Sequence, residues 1–194
     1  MFLSANEIQD FVASGELIID PFSLENFKPA SYILMLGNRW RKWFASSDPI
    51  DVGKPLDEER LLSPIVTSDE YILSKSELCL AATVEKLSLP QNLIGIVAPL
   101  SHISRWGLNI NLGSLIVSPR FGGTIPTGLT LELVSHNPSP LKLRTGLPIC
   151  HLAFIEVSHS ENLLPLNKSI YEGRETPSGP FLNEELAKLL EYNE

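Results

Sequence analysis

Cysteine is scarce in this sequence, and its two residues, Cys79 and Cys150, stand 71 positions apart with no Cys-x-x-Cys spacing around either. That excludes a disulfide scaffold or a cysteine-rich zinc module and points to two structural thiols in a reducing compartment. Positive charge is also short. Fifteen Lys and Arg against 23 Asp and Glu leave a formal net charge of −8, which argues against coating polymeric nucleic acid. It leaves room for an anionic small molecule, because a local arginine cluster overrides the global sign. No apolar run approaches the roughly 18 residues of a membrane span, so no membrane partner is expected. The opening MFLSANEIQDF carries acids and no basic stretch, unlike a signal peptide, and a cytoplasmic location follows by default.

What is present is an ordinary globular composition, 43% hydrophobic and 20% charged over 194 residues. A chain of this length fits one domain with arms and buries about 70% of its unfolded surface. Ser4-Ala5-Asn6-Glu7 reads as a capping box with Leu3 and Ile8 as its staple, and Ile8, Phe11 and Val12 give a short helix that Gly15 ends. From Leu17 the period changes to two. A strand runs into a turn at Asp20-Pro21, and SYILMLGNRWRKW alternates to Gly37 and then reads as an exposed, basic, aromatic strand. Residues 48–63 hold two prolines, a glycine and mixed charge without periodicity, and read as a loop.

Short strand-like runs then recur at 71–73, 78–84, 93–98, 108–112, 115–117, 129–134, 142–143 and 149–157, most of them separated by Pro, Gly, Asn or Ser. With 15 prolines and 12 glycines this spacing indicates a sandwich or barrel and not βαβ units. The expected boundaries are a β domain over 1–164 that includes the N-terminal helix, and a C-terminal arm over 165–194 that turns helical at 183–192 behind Asn183. Such an arm packs on a neighbour, closes over a ligand, or frays.

The chemistry is bounded first by missing motifs. Neither HExxH nor the zinc-deaminase pattern occurs, and GxSxG, Walker A and Rossmann glycines are absent, so hydrolysis would run on carboxylate-activated water. His151 beside Cys150 reads as a core-edge histidine. The carboxylate that stands out is Glu132. In GLTLELV, Leu129, Leu131 and Leu133 share one face of a period-2 strand, and Thr130, Glu132 and Val134 share the other. A lone Glu in that setting is at the surface or in a pocket, and its context favours the pocket.

That context is a resemblance. LSANEIQDFVASGELIIDPFSLENFKPASYILMLGN, then Val84-Glu85 through Leu89-Pro90 to Gly95, then SHISRWGLNI, SPRFGG with LTLELVSHN, and PLKLRTGLPICHLAF occur in the order of the dCTP deaminases of the trimeric dUTPase-like superfamily. The match spans about residues 1–157, and five ordered segments are far more specific than one. The resemblance implies an all-β subunit, a distorted β-barrel or jelly roll. It also implies a homotrimer with nucleotide sites at subunit interfaces, and Mg2+ carried by the nucleotide triphosphate, with no zinc. The strand glutamate that activates water for attack on C4 of cytosine matches Glu132. Ser101 and Arg105 match the serine and arginine of the family's RSSLAR turn, Ser101 placing water and touching phosphate, Arg105 orienting the glutamate. His102, Ser114, Ser118, Tyr171 and Arg174 take nucleotide-binding positions.

Departures from the family pattern are equally specific. Leu100 and His102 flank Ser101 where the family has Arg and Ser, which removes a phosphate-gripping guanidinium. Val117-Ser118-Pro119-Arg120 replaces Ile-Asp-Pro-Gly, and Ser118 does not accept a proton at neutral pH as that aspartate does, so pyrophosphatase activity looks lost. The expectation is therefore deamination of dCTP to dUTP and ammonia. A catalytically silent binder of dCTP, dUTP, dTTP or a protein partner comes next, and a dUTPase third.

Overall fold

The capping box forms as expected. Ser4 Oγ accepts from the Glu7 N–H at 3.4 Å, and Glu7 Oε2 accepts from the Ser4 N–H at 2.7 Å. This starts α1, Ala5–Ala13, whose Ile8 is fully buried, and Gly15 at φ +78° turns the chain out of it. The structure, a computed structural model, describes residues 1–158 and 176–181. Tyr171, Arg174 and the helix expected over 183–192 lie outside the described residues. No helix among the described residues is long and apolar enough to cross a membrane.

After α1 come β1 (Ile18–Asp20), β2 (Phe27–Lys28), β3 (Ser31–Lys42), α2 (Glu58–Leu61), β4 (Val66–Thr67), β5 (Glu70–Leu73), β6 (Leu78–Ser88) and β7 (Leu93–Pro99). Then follow α3 (Ser101–Arg105), β8 (Leu108–Asn109), β9 (Ile116–Val117), β10 (Thr127–Ser135), β11 (Leu141–Arg144) and β12 (Pro148–Glu156). The main sheet runs β8-β10-β6-β3-β12-β7-β9, with β1 on β6 and β2 and β4 on β3, while β5 and β11 pair separately. All these pairings are antiparallel.

The two margins of that sheet, β8 and β9, are joined by only residues 110–115. Six residues reach at most about 20 Å, so the sheet has to curl until its margins nearly meet. The joint is stitched by Val97 N–H to Leu115 O at 2.8 Å and Glu132 N–H to Ile110 O at 2.9 Å. The inside is filled by alternate residues of the long strands, Tyr32, Leu34 and Leu36 from β3, Leu131 and Leu133 from β10, and Leu152 and Phe154 from β12, each nearly or fully buried.

Four readings change. Trp40 is buried, 1% exposed, stacked on Tyr71 at 5.0 Å with its Nε1–H donated to Ser68 O at 2.8 Å, so the end of β3 is not an exposed aromatic strand. The loop at 48–63 contains α2, which Asp57 caps by accepting the Arg60 N–H, and one turn is too short to show as periodicity. The turn after β7 is the one-turn helix α3. Leu129 packs against the core but is only half-buried, at the point where the β10–β6 register shifts between Gly128 and Thr130.

Both thiols are buried and unpaired, and burial pushes Cys79 up to about 11 and Cys150 up to about 12, as structural cysteines require. Glu85 on β6 is the unexpected buried acid, 2% exposed, its Oε2 accepting the Met35 N–H at 2.9 Å. Desolvation holds it above its ordinary value of 4.5. A carboxyl raised on folding stabilises fully below 4.5, and that contribution is lost as pH rises through the folded value. Glu85→Gln should therefore gain stability relative to wild type as pH climbs from 4 toward 7, read as melting temperature. A constant difference across that range would show that Glu85 does not titrate on unfolding.

Candidate active site

Glu132 lies at mid-length of β10, paired to Leu80 of β6 on one side and bonded through its N–H to Ile110 beyond β8 on the other. Its neighbours Leu131 and Leu133 point into the core, so strand alternation turns its carboxylate to the opposite face. There it is half-buried, and Oε2 accepts the Leu112 N–H at 3.3 Å. Desolvation raises it above its ordinary value of 4.5, and the Leu112 hydrogen bond draws it partly back. Among the described residues no cation pairs with it within the chain.

The loop over this carboxylate is residues 111–115. Asn111 Nδ2 donates to Val97 O at 3.4 Å and to Ser114 O at 3.5 Å, tying the loop to β7. Ser114 is exposed in the same loop. Leu112, Leu115 and Ile116 are 55%, 48% and 60% exposed beside it, an apolar rim around an acid.

Ser101, His102 and Arg105 sit together on α3, all exposed, with buried Ile103 anchoring the turn. Leu100, 6% exposed, takes the N-cap position and gives no side-chain cap, so Ser101 is the first helical residue and not a cap. α3 is tied to the far end of β10. His136 N–H donates to Gly107 O at 2.7 Å, and Asn137 Nδ2 donates to Trp106 O at 3.0 Å. His136 is four residues from Glu132, about 13 Å along a strand. Ser101, His102 and Arg105 thus share α3, and Glu132 meets the loop of Leu112 and Ser114, with no ion pair or hydrogen bond between the two groups among the described residues. Ser118 is exposed at the head of a turn, where its carbonyl accepts the Phe121 N–H at 3.1 Å.

Sequence reasoning missed one participant. Leu112 contributes only its backbone N–H, for which side-chain patterns carry no signal. His151 behaves as a sheet-face histidine, Nδ1 3.0 Å from Ser31 Oγ, lowered by burial and then by Lys28.

Residues 2–157 match the dCTP deaminase-like family. The chain is 32% identical over 157 residues to a protein of Sulfurihydrogenibium sp. (strain YO3AOP1) named "dCTP deaminase, dUMP-forming", covering 81% of this chain and 84% of that one. It is 34% identical over 158 residues to a protein of the same name from Persephonella marina, with the same coverage of each. In fold it is similar to the 2'-deoxycytidine 5'-triphosphate deaminase of Agrobacterium tumefaciens, with a TM-score of 0.60 and 20% identity, covering 81% of this chain and 48% of that one. The relatives' names give dUMP as product, against the dUTP expected from Ser118. On the match over its β domain, this chain belongs to the dCTP deaminase-like family.

Proposed function

We propose that this protein deaminates dCTP, water replacing the amino group at C4 and ammonia leaving. The observation that carries the reading is Glu132, a carboxylate screened from bulk water and met by one backbone N–H, with its proton affinity raised. Such a group takes a proton from water more readily than a surface glutamate and returns it to the departing nitrogen. Ser101 and Arg105, carried on α3 and without a hydrogen bond or ion pair to Glu132 within one chain among the described residues, serve the Glu132 of an adjoining copy in a homotrimer, where Arg105 steers the carboxylate and steadies charge on the base. The exposed Leu112, Leu115 and Ile116 support an adjoining copy covering this rim. His102, Ser114, Ser118, Tyr171 and Arg174 line the nucleotide, and Mg2+ enters as part of the triphosphate substrate.

For the product we follow the relatives' names, so dUMP and pyrophosphate replace the dUTP expected from sequence. One observation favours stopping at dUTP, namely that exposed Ser118 offers no carboxylate to activate a second water. The two outcomes separate in one assay with dCTP and Mg2+. One pyrophosphate per ammonia establishes dUMP, ammonia without pyrophosphate establishes dUTP, and no ammonia removes the deaminase reading.

A further inference from the structure

Acids outnumber bases 23 to 15 along the chain, yet residues 86–131 contain no Asp or Glu. Lys86, Arg105 and Arg120 give that stretch a formal charge of +3, so the rest of the chain carries −11 within the total of −8. The stretch spans β7, α3, the loop over Glu132, β9 and the turn that follows β9. Such a local reversal of sign draws an anion to a protein that repels it elsewhere.

Arg120 occupies an unexpected place in that turn. The Phe121 N–H donates to Ser118 O at 3.1 Å, which makes Pro119 the second residue and Arg120 the third. Arg120 has φ +63°. Proline second and a left-handed residue third is the arrangement of a type II turn, whose third position suits glycine, and the family pattern has glycine there. Elsewhere the chain follows that rule. Among the described residues only Ser76 and Arg120 take a left-handed φ without being glycine, and Gly122 and Gly123 fill the next two such positions of the same loop. Arg120 therefore holds a backbone conformation that costs it energy, and strain of this kind marks a side chain with a task.

That task is not an internal ion pair. Arg120 is exposed, its Nη2 donates to Gln91 Oε1 at 3.0 Å, and no carboxylate pairs with it among the described residues. A guanidinium carries five N–H donors in a fork that fits phosphate. The bond to neutral Gln91 steadies the fork without neutralising it and leaves donors for a ligand. The same turn carries Ser118, a nucleotide-binding position, while Leu100 stands where the family has a phosphate-gripping arginine.

We propose that Arg120 grips a phosphate of the nucleotide, supplying from the β9 turn the guanidinium that α3 lacks, with Gln91 as its positioning residue. The inference rests on nucleotide binding at this site and not on the deamination step. Arginine in place of glycine then trades backbone ease for a charge-assisted contact.

The test uses the whole chain with Arg120→Gly, Arg120→Gln, Arg120→Lys and Gln91→Ala. Affinity for dCTP is read by calorimetry on a Glu132→Gln background, KM and kcat without that change, and melting temperature without nucleotide. Arg120→Gly and Arg120→Gln should both weaken dCTP by about tenfold to a hundredfold, the scale of a hydrogen bond to a charged group. Arg120→Lys should fall between them and wild type, Gln91→Ala should lose about threefold, and KM should rise with each loss while kcat stays within about threefold. Arg120→Gly should nevertheless melt about 2–4 °C higher, because glycine relieves the turn. Affinity within twofold of wild type in Arg120→Gln overturns the phosphate contact. A loss confined to Arg120→Gly traces to the shape of the turn and overturns it too. A lower melting temperature in Arg120→Gly overturns the reading of Arg120 as strained for function, and unchanged affinity in Gln91→Ala removes Gln91 from its role. If the wild type binds dCTP but releases no ammonia, the deaminase reading fails and calorimetry still decides Arg120. Absence of dCTP binding in every form overturns both.

Discussion

Glu132→Gln is expected to lower ammonia release from dCTP by about a thousandfold, within the range that a positioned general base supplies, while the barrel remains folded. Glutamine preserves the shape, and its side-chain oxygen still accepts the Leu112 N–H, so only proton affinity is lost. Stability should move the other way. Glu132 is raised above 4.5 in the folded chain, so its contribution is complete below 4.5 and declines as pH rises through the folded value. At pH 7 the ionised wild type carries the cost of a partly desolvated charge that the variant lacks. The variant should melt at an equal or higher temperature there, and the two should converge in acid. Equal turnover by both proteins would remove Glu132 from the reaction. A variant that melts far below wild type would show that the residue is structural.

Gly122→Ala is expected to cost about 3 kcal/mol of stability, combining a left-handed backbone with a forced displacement. Gly122 sits at φ +79°, and a Cβ on it would stand 2.0 Å from Leu87 O, 3.0 Å from Leu87 C and 3.1 Å from Ser88 Cα. All three are backbone atoms of β6, where Leu87 pairs with both Ile19 and Thr127, so no side chain can swing aside. At this size the melting temperature should fall by about 6–12 °C. Gly15 is the control, because φ is +78° there but nothing lies within 4 Å. Gly15→Ala should cost about 1 kcal/mol, the conformational part alone. If the two variants melt together, the contact at Leu87 is not what demands glycine. The turn also carries Ser118, through Phe121 N–H to Ser118 O and Leu89 N–H to Phe121 O, so Gly122→Ala should disturb nucleotide handling as well.

The legible parts of the chain were those governed by local rules. The capping box at Ser4 and Glu7 needs three residues of spacing and formed as read. The recurrence of short strands announced a curled β sheet, and alternation placed Glu132 opposite Leu131 and Leu133. What escaped depends on groups far apart in sequence. Glu85 is buried by β3 and met by the Met35 N–H fifty residues away, which nothing local to it encodes. Trp40 packs within the barrel, as its size favoured over a stacking platform, although the strand carrying it read as exposed and basic and its partners Tyr71 and Ser68 lie far along the chain. The contact of Gly179 with α2 joins segments more than a hundred residues apart, and no local pattern encodes it. Arg105 and Glu132 matched family positions, and their placement on α3 and on β10 is a matter of tertiary structure that no local pattern encodes.

The narrow joint between β8 and β9 has a bearing on durability. Each of those strands contributes only two ladder pairs, against seven between β7 and β12. Opening free energy is small where pairing is sparse, and Glu132, the acid proposed to react, stands at such a place. Parting of the hoop at this clasp would flood Glu132 with solvent while the rest of the wall still stands. Warmth would disarm such a protein before it melts it, and whatever grips the clasp from outside, a nucleotide or a neighbouring copy, guards activity more than it guards the fold.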